Sequence, residues 1–127
     1  MSRFVLRATE YAHLLLAQAV KKGDMVLDGT AGNGWDTCFL ASLVGPHGRV
    51  YAFDIQQKAC ETTRQLAAEQ GMSAWVTVIE DDHANLPSYE LPTLAAAVYN
   101  LGWLPQGDHS VITQGGTTIR ALTATLA

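Results

Sequence analysis

Asp28-Gly29-Thr30-Ala31-Gly32-Asn33-Gly34 lies between an apolar run, Met25-Val26-Leu27, and a helical pattern that opens at Asp36 or Thr37. A strand that passes through such glycines into a helix lets the backbone come close to a ligand. The alternation continues on both sides. Upstream, Thr9 can cap a helix over residues 9–22, on the spacing of Ala12, Leu15, Leu16, Ala19 and Val20, with Gly23-Asp24 as its stop. Downstream, Phe39, Leu40, Leu43 and Val44 form the apolar face of a second helix that Gly45-Pro46 closes. Residues 49–53 read as a second strand, 57–70 as a third helix ended by Gly71, 75–79 as a third strand and 93–99 as a fourth. The period of Ile119, Leu122 and Leu126 predicts a last helix over 117–126, and Thr113, Thr117 and Thr118 read as residues that cap it.

Strands alternating with helices imply an α/β fold: a doubly wound, Rossmann-like parallel sheet with helices on both faces. Ligands bind such sheets beyond the carboxyl ends of the strands, near the point where strand order reverses. The polar clusters at 28–36, 54–56, 81–83 and 100–108 each follow one of the four predicted strands. They therefore converge on one edge.

Composition bounds the function classes. With 127 residues, 48% hydrophobic and 16% charged, the chain suits one globular domain spanning residues 1–127. It has no apolar run of the roughly 18 residues a membrane span needs, and Arg3 and Arg7 are followed by no apolar signal core, so a cytoplasmic protein is expected. Cys38 and Cys60 form no C-x-x-C pair and no zinc-spaced cluster, so no metal is expected. The net charge of −4 argues against a protein-wide nucleic-acid footprint. Arg3, Arg7, Lys21 and Lys22 nevertheless gather half of the 8 basic residues near one end, as a local polyanion contact or as a solvated helix face.

The loop itself discriminates between nucleotides. A pyrophosphate fingerprint would carry a glycine three residues after Gly34, where Thr37 stands. A carboxylate at Asp28 would repel a pyrophosphate but can balance an ammonium group, and S-adenosylmethionine has an ammonium and no phosphate. Asp54, 26 positions on, can accept both hydroxyls of a ribose, Ile55 can cover an adenine face and Asp82 can accept from the adenine amino group. Loop capping competes as an account of Asp28 or Asp54 taken singly.

The run 28–34 looks like motif I of class I methyltransferases. Extended to Thr37, and joined by Phe53-Asp54-Ile55-Gln56, Asp82-His83 and Asn100-Leu101-Gly102-Trp103-Leu104-Pro105, it is similar to a smaller family of rRNA methylases. Bacterial members of that family include the enzyme that methylates 5-aminomethyl-2-thiouridine at the tRNA wobble position. The resemblance covers about residues 11–127 and implies an S-adenosylmethionine-dependent methyltransferase acting on RNA, with tRNA favoured. Carried over by position, Asp28, Gly32, Asn33 and Gly34 would hold the methionine part, with Thr30 and Asp36 as further cofactor candidates. Asp54, Ile55 and Gln56 would hold ribose and adenine, and Asp82 with His83 the adenine side. Asn100 would face the methyl group and orient the amine, and Asp108 or His109 would take the proton. Trp103 would stack on a base of the substrate.

The chain departs from that pattern in two ways. The family usually has Tyr, Gly and Lys where Trp103, Gln106 and His109 stand, so Trp103 keeps a stacking surface and loses a hydroxyl. Class I methyltransferases usually have seven strands, and here the sheet is expected to stop after the fourth. An exposed fourth-strand edge would follow, with a homodimer that completes the sheet as one outcome. The alternative function is a module that holds S-adenosylmethionine without methylating. An NAD-binding dehydrogenase is the weaker third.

Overall fold

Four short strands carry the apolar runs of the sequence: β1 (Met25–Asp28), β2 (Arg49–Asp54), β3 (Val76–Glu80) and β4 (Ala96–Tyr99). The computed structural model describes residues 8–99 and the strands Val111–Gln114 (β5) and Thr117–Ala121 (β6), with side chains from His13 to Tyr99. The sheet order is β3-β2-β1-β4-β6-β5. The first four strands are mutually parallel, with Val26 opposite Val50 on one side and Ala96 on the other. Val26 and Leu27 of β1 and all four residues of β4 are buried, as expected of strands covered on both faces.

Helices α1 (Ala8–Ala19), α2 (Trp35–Val44) and α3 (Gln57–Glu69) pack side by side on one face. Leu16, Leu40, Ala41, Val44 and Ala67 meet Val26, Val50 and Val98 there. Among the described residues the other face is covered by a 3-10 turn, His83–Ser88, and the segment after it rather than by a helix. Leu86, Tyr89, Leu91 and Leu94 pack there on Leu27, Phe53, Ala97 and Tyr99. The chain thus crosses one face twice, then returns under the other to place β4 beside β1. That reversal between β2 and β4 creates the switch point.

Two expectations are corrected. The helix predicted over 117–126 is instead strand β6 over Thr117–Ala121, antiparallel to β4, and β5 pairs with it through Gln114 opposite Thr117. Thr113, Thr117 and Thr118 accordingly belong to strands and not to a helix cap. Thr117, Thr118 and Ile119 are β-branched, and Gly115-Gly116 between two such runs is a hairpin signal that outweighs the 3–4 residue period. Among the described residues four strands are parallel, and the sheet continues beyond the fourth. The β4 edge is paired rather than open, which removes the ground for a homodimer formed along it.

Candidate functional site

The loops after β1, β2 and β3 enclose a cleft of about 180 Å³. Gly29 and Thr30 line it from the first loop, Asp54 and Ile55 from the second, and Asp81, Asp82 and His83 from the third. An aspartate at the end of β1 and of β2, and one two residues past the end of β3, each turn their own loop in the same way, by accepting from the N–H two residues on. Asp28 takes Thr30 N at 3.1 Å, Asp54 takes Gln56 N at 2.9 Å and Asp82 takes Ala84 N at 2.9 Å. Asn33 does the same for Trp35 N at 3.1 Å. Such side-chain turns shape a loop without a helix or ladder partner.

Asp28 is wholly buried. Its second oxygen accepts from the Thr37 hydroxyl at 2.7 Å, and Thr37 is itself buried at the start of α2. Burial pushes this carboxyl up to about 7 against the pull of the Thr37 bond, with the Asp36 charge adding to the rise. Asp28 therefore ties the strand end to α2 and does not line the cleft.

The glycine loop is held from several directions. Ala31 N donates to Phe53 O at 2.8 Å, and Gly32 N donates to the Asp54 carboxylate at 2.9 Å. Gly34 enters α2 at φ +89°, and a β-carbon there would stand 3.0 Å from Thr63 Cα, so both backbone and space call for glycine. Asp54 spends one lone pair on each of two N–H groups, and a carboxylate has about four acceptor positions, so it can still accept ribose hydroxyls.

Asp81 closes the far side. It accepts from Asp82 N and Asn85 Nδ2 at 2.7 Å on one oxygen and from the Tyr89 hydroxyl at 2.6 Å on the other. Those bonds, Tyr89 first, hold its carboxyl below the ordinary aspartate value. The His83 ring stands edge-on to Tyr99 at 5.2 Å. Ile55, 68% exposed, is the large apolar side chain on the rim.

Of the residues singled out from sequence, the structure gathers Thr30, Asp54, Ile55, Asp82 and His83 at the cleft. Gly32, Asn33 and Gly34 form its supporting loop, and Gln56 contributes its N–H to Asp54. Asp36 faces α1, where His13 Nε2 lies 2.7 Å from its carboxylate and the His13 ring stacks on Phe39 at 3.9 Å. Asn100, Trp103, Asp108 and His109 lie outside the described residues. The sequence reading missed His13, 23 positions from its partner, and Tyr89, whose hydroxyl meets an acid eight positions back. No pattern in the sequence links either pair. Cys38 and Cys60 are buried and free, and burial pushes both thiols up.

A family described as "Putative rRNA methylase" matches residues 50–127. The chain belongs to that family. This rRNA methylase family member is 38% identical to the chloroplastic tRNA (mnm5s2U34)-methyltransferase of Arabidopsis thaliana, across 93% of this chain and 47% of that protein. It spans about half the length of that curated relative. Among solved structures, one described as a "putative rRNA-methylase" of Clostridium thermocellum is 43% identical with a TM-score of 0.75, over 87% of this chain and 60% of that one. A Streptococcus mutans methyltransferase solved in complex with SAH is 38% identical with a TM-score of 0.70, again over 87% and 60%. Among the described residues no helix is long and apolar enough to cross a membrane.

Proposed function

We propose that this chain binds S-adenosylmethionine in the cleft and directs its methyl group to an amine of RNA, the 5-aminomethyl group of a tRNA wobble 2-thiouridine. One observation carries the cofactor part. Asp54, Asp81 and Asp82 line the cleft beside the exposed Ile55, and neither lysine nor arginine is among its described lining. Three carboxylates disfavour a phosphorylated nucleotide and suit a cationic nucleoside with hydroxyl and amino groups to donate. The cleft therefore fits this cofactor better than NAD.

When bound, S-adenosylmethionine supplies a methyl activated by its sulfonium. In this reading Asp54 accepts from the ribose, Ile55 covers the adenine, Asp82 accepts from its amino group with His83 beside it, and the amides of the Gly32–Gly34 loop lie against the methionine part. Asp28 and Asp36 brace that loop from behind, and the Asp36 charge favours the ammonium. Asn100 orients the substrate amine, Trp103 stacks on a base, and Asp108 or His109 accepts the proton. Alignment of this kind is worth about 7–11 kcal/mol. The names of the Arabidopsis and Clostridium relatives support RNA as the substrate class. The compartment that fits this role is the cytoplasm.

The test is calorimetric titration with S-adenosylmethionine, with NADH as control, followed by methylation of tRNA lacking the modification. Binding of the first ligand alone, with methyl incorporation, is expected. Binding without incorporation would leave a cofactor-holding module, and binding of NADH alone would overturn the reading.

A further inference from the structure

We propose that Tyr89 is a positioning residue that sets the adenine end of the cleft by fixing Asp81, and through it Asp82 and His83. The inference rests on the cofactor reading above and deepens it.

Tyr89 itself does not line the cleft; Asp81, Asp82 and His83 do. Its ring stands edge-on to Phe53 at 5.2 Å and 84°, and Phe53 is fully buried at the end of β2. The hydroxyl is thus delivered from the core. It donates to Asp81 Oδ2 at 2.6 Å, while Oδ1 accepts from Asp82 N and from Asn85 Nδ2, each at 2.7 Å. Asp81 N donates to Asp54 O at 2.9 Å, which ties this acid to the ribose side as well.

Three donors converge on a carboxylate that shares its cleft with two more, Asp54 and Asp82. Without them, Asp81 would turn to water and release the backbone of Asp82. The Asp82 carboxylate would then lose its fixed place relative to Ile55, although its own bond from Ala84 N would survive. A hydroxyl anchored on the core therefore does what an acid in an exposed loop cannot do alone. Tyr89 should matter to recognition of the base and not to the ribose, which Asp54 holds from β2.

The decisive comparison uses S-adenosylhomocysteine and its deaminated analogue, in which hypoxanthine replaces adenine and the amino group is gone. Wild type should bind the adenine form more tightly. Tyr89→Phe keeps the ring on Phe53 and removes only the hydroxyl, so affinity for the adenine form should fall about tenfold, the size of one hydrogen bond to a charged group. Affinity for the hypoxanthine form should barely move. Equal losses for both ligands, or none, would overturn the proposal. If Tyr89→Phe does not fold, as judged by thermal unfolding, Asn85→Ala removes another donor to Asp81 and should narrow the same discrimination. Wild type that binds neither ligand would instead sink the cofactor reading.

Discussion

The Tyr99 ring at the end of β4 occupies the space where a β-carbon on residue 29 would have to stand. Gly29 is not at positive φ, so what this position demands is room and not backbone freedom. Its N–H donates to Val98 O at 2.8 Å, which fixes the glycine loop to the strand that carries Tyr99. Gly29→Ala should cost about 1–3 kcal/mol, as overpacking does. In a Tyr99→Val background the same change should cost under about 1 kcal/mol, because the clash is gone and alanine restricts the unfolded chain. Urea unfolding of the four proteins measures this. Equal costs in both backgrounds would show that the two residues are not coupled.

Asp28 predicts a particular pH response. Its folded value, about 7, lies above the ordinary 3.8, so the folded state binds this proton more tightly than the unfolded chain does. The contribution is complete below about pH 4 and is lost as pH rises through about 7, a loss on the order of 4 kcal/mol. Asn fits the same place: its oxygen can accept from Thr30 N and its amide can donate to the Thr37 hydroxyl. Asp28→Asn should therefore gain on the wild type between pH 4 and 7 and keep a constant lead above that. Denaturant unfolding across this range gives the difference directly, since the other titrating groups are common to both. Parallel curves would mean that the burial of Asp28 carries no such cost.

The parallel strands and three helices were legible because each carries its own period or apolar run, bounded by glycine or proline. Asp54, Ile55 and Asp82 were legible as cleft-lining residues for a different reason: the loops after the strands converge on one edge of this fold, so their place follows from the order of elements alone. Residues 117–121 misled because Ile119 and Leu122 fit a helical spacing, while the preference of a threonine-rich segment depends on a neighbouring strand that local sequence does not show. What the sequence does not show for Asp28 is its partner within the chain. The side chain opposite it, Thr37, lies nine residues away across the loop, and only the folded turn reveals that the two meet. The same holds for Tyr89 and Asp81, and for His13 and Asp36, whose contacts obey no fixed spacing.

His13 and Asp36 give the last prediction. The ring nitrogen Nε2 lies 2.7 Å from the Asp36 carboxylate, and the ring lies flat on Phe39, 3.9 Å away and inclined by 8°. Their side chains are 28% and 17% exposed, so water competes only in part for the bond. Asp36 also stands in the first turn of α2, where a negative charge meets the helix dipole. His13→Ala removes the hydrogen bond and the stacking together and should cost about 1–3 kcal/mol of stability. Asp36→Asn removes the charge but keeps an oxygen that can accept. The two changes combined should cost less than their sum by about 1 kcal/mol, and the coupling should persist when salt is raised, because a partly buried pair is poorly screened. A coupling near zero in urea unfolding would mean that α1 is held on α2 by apolar packing, through Leu16 and the Val20 that follows the helix, without help from this pair.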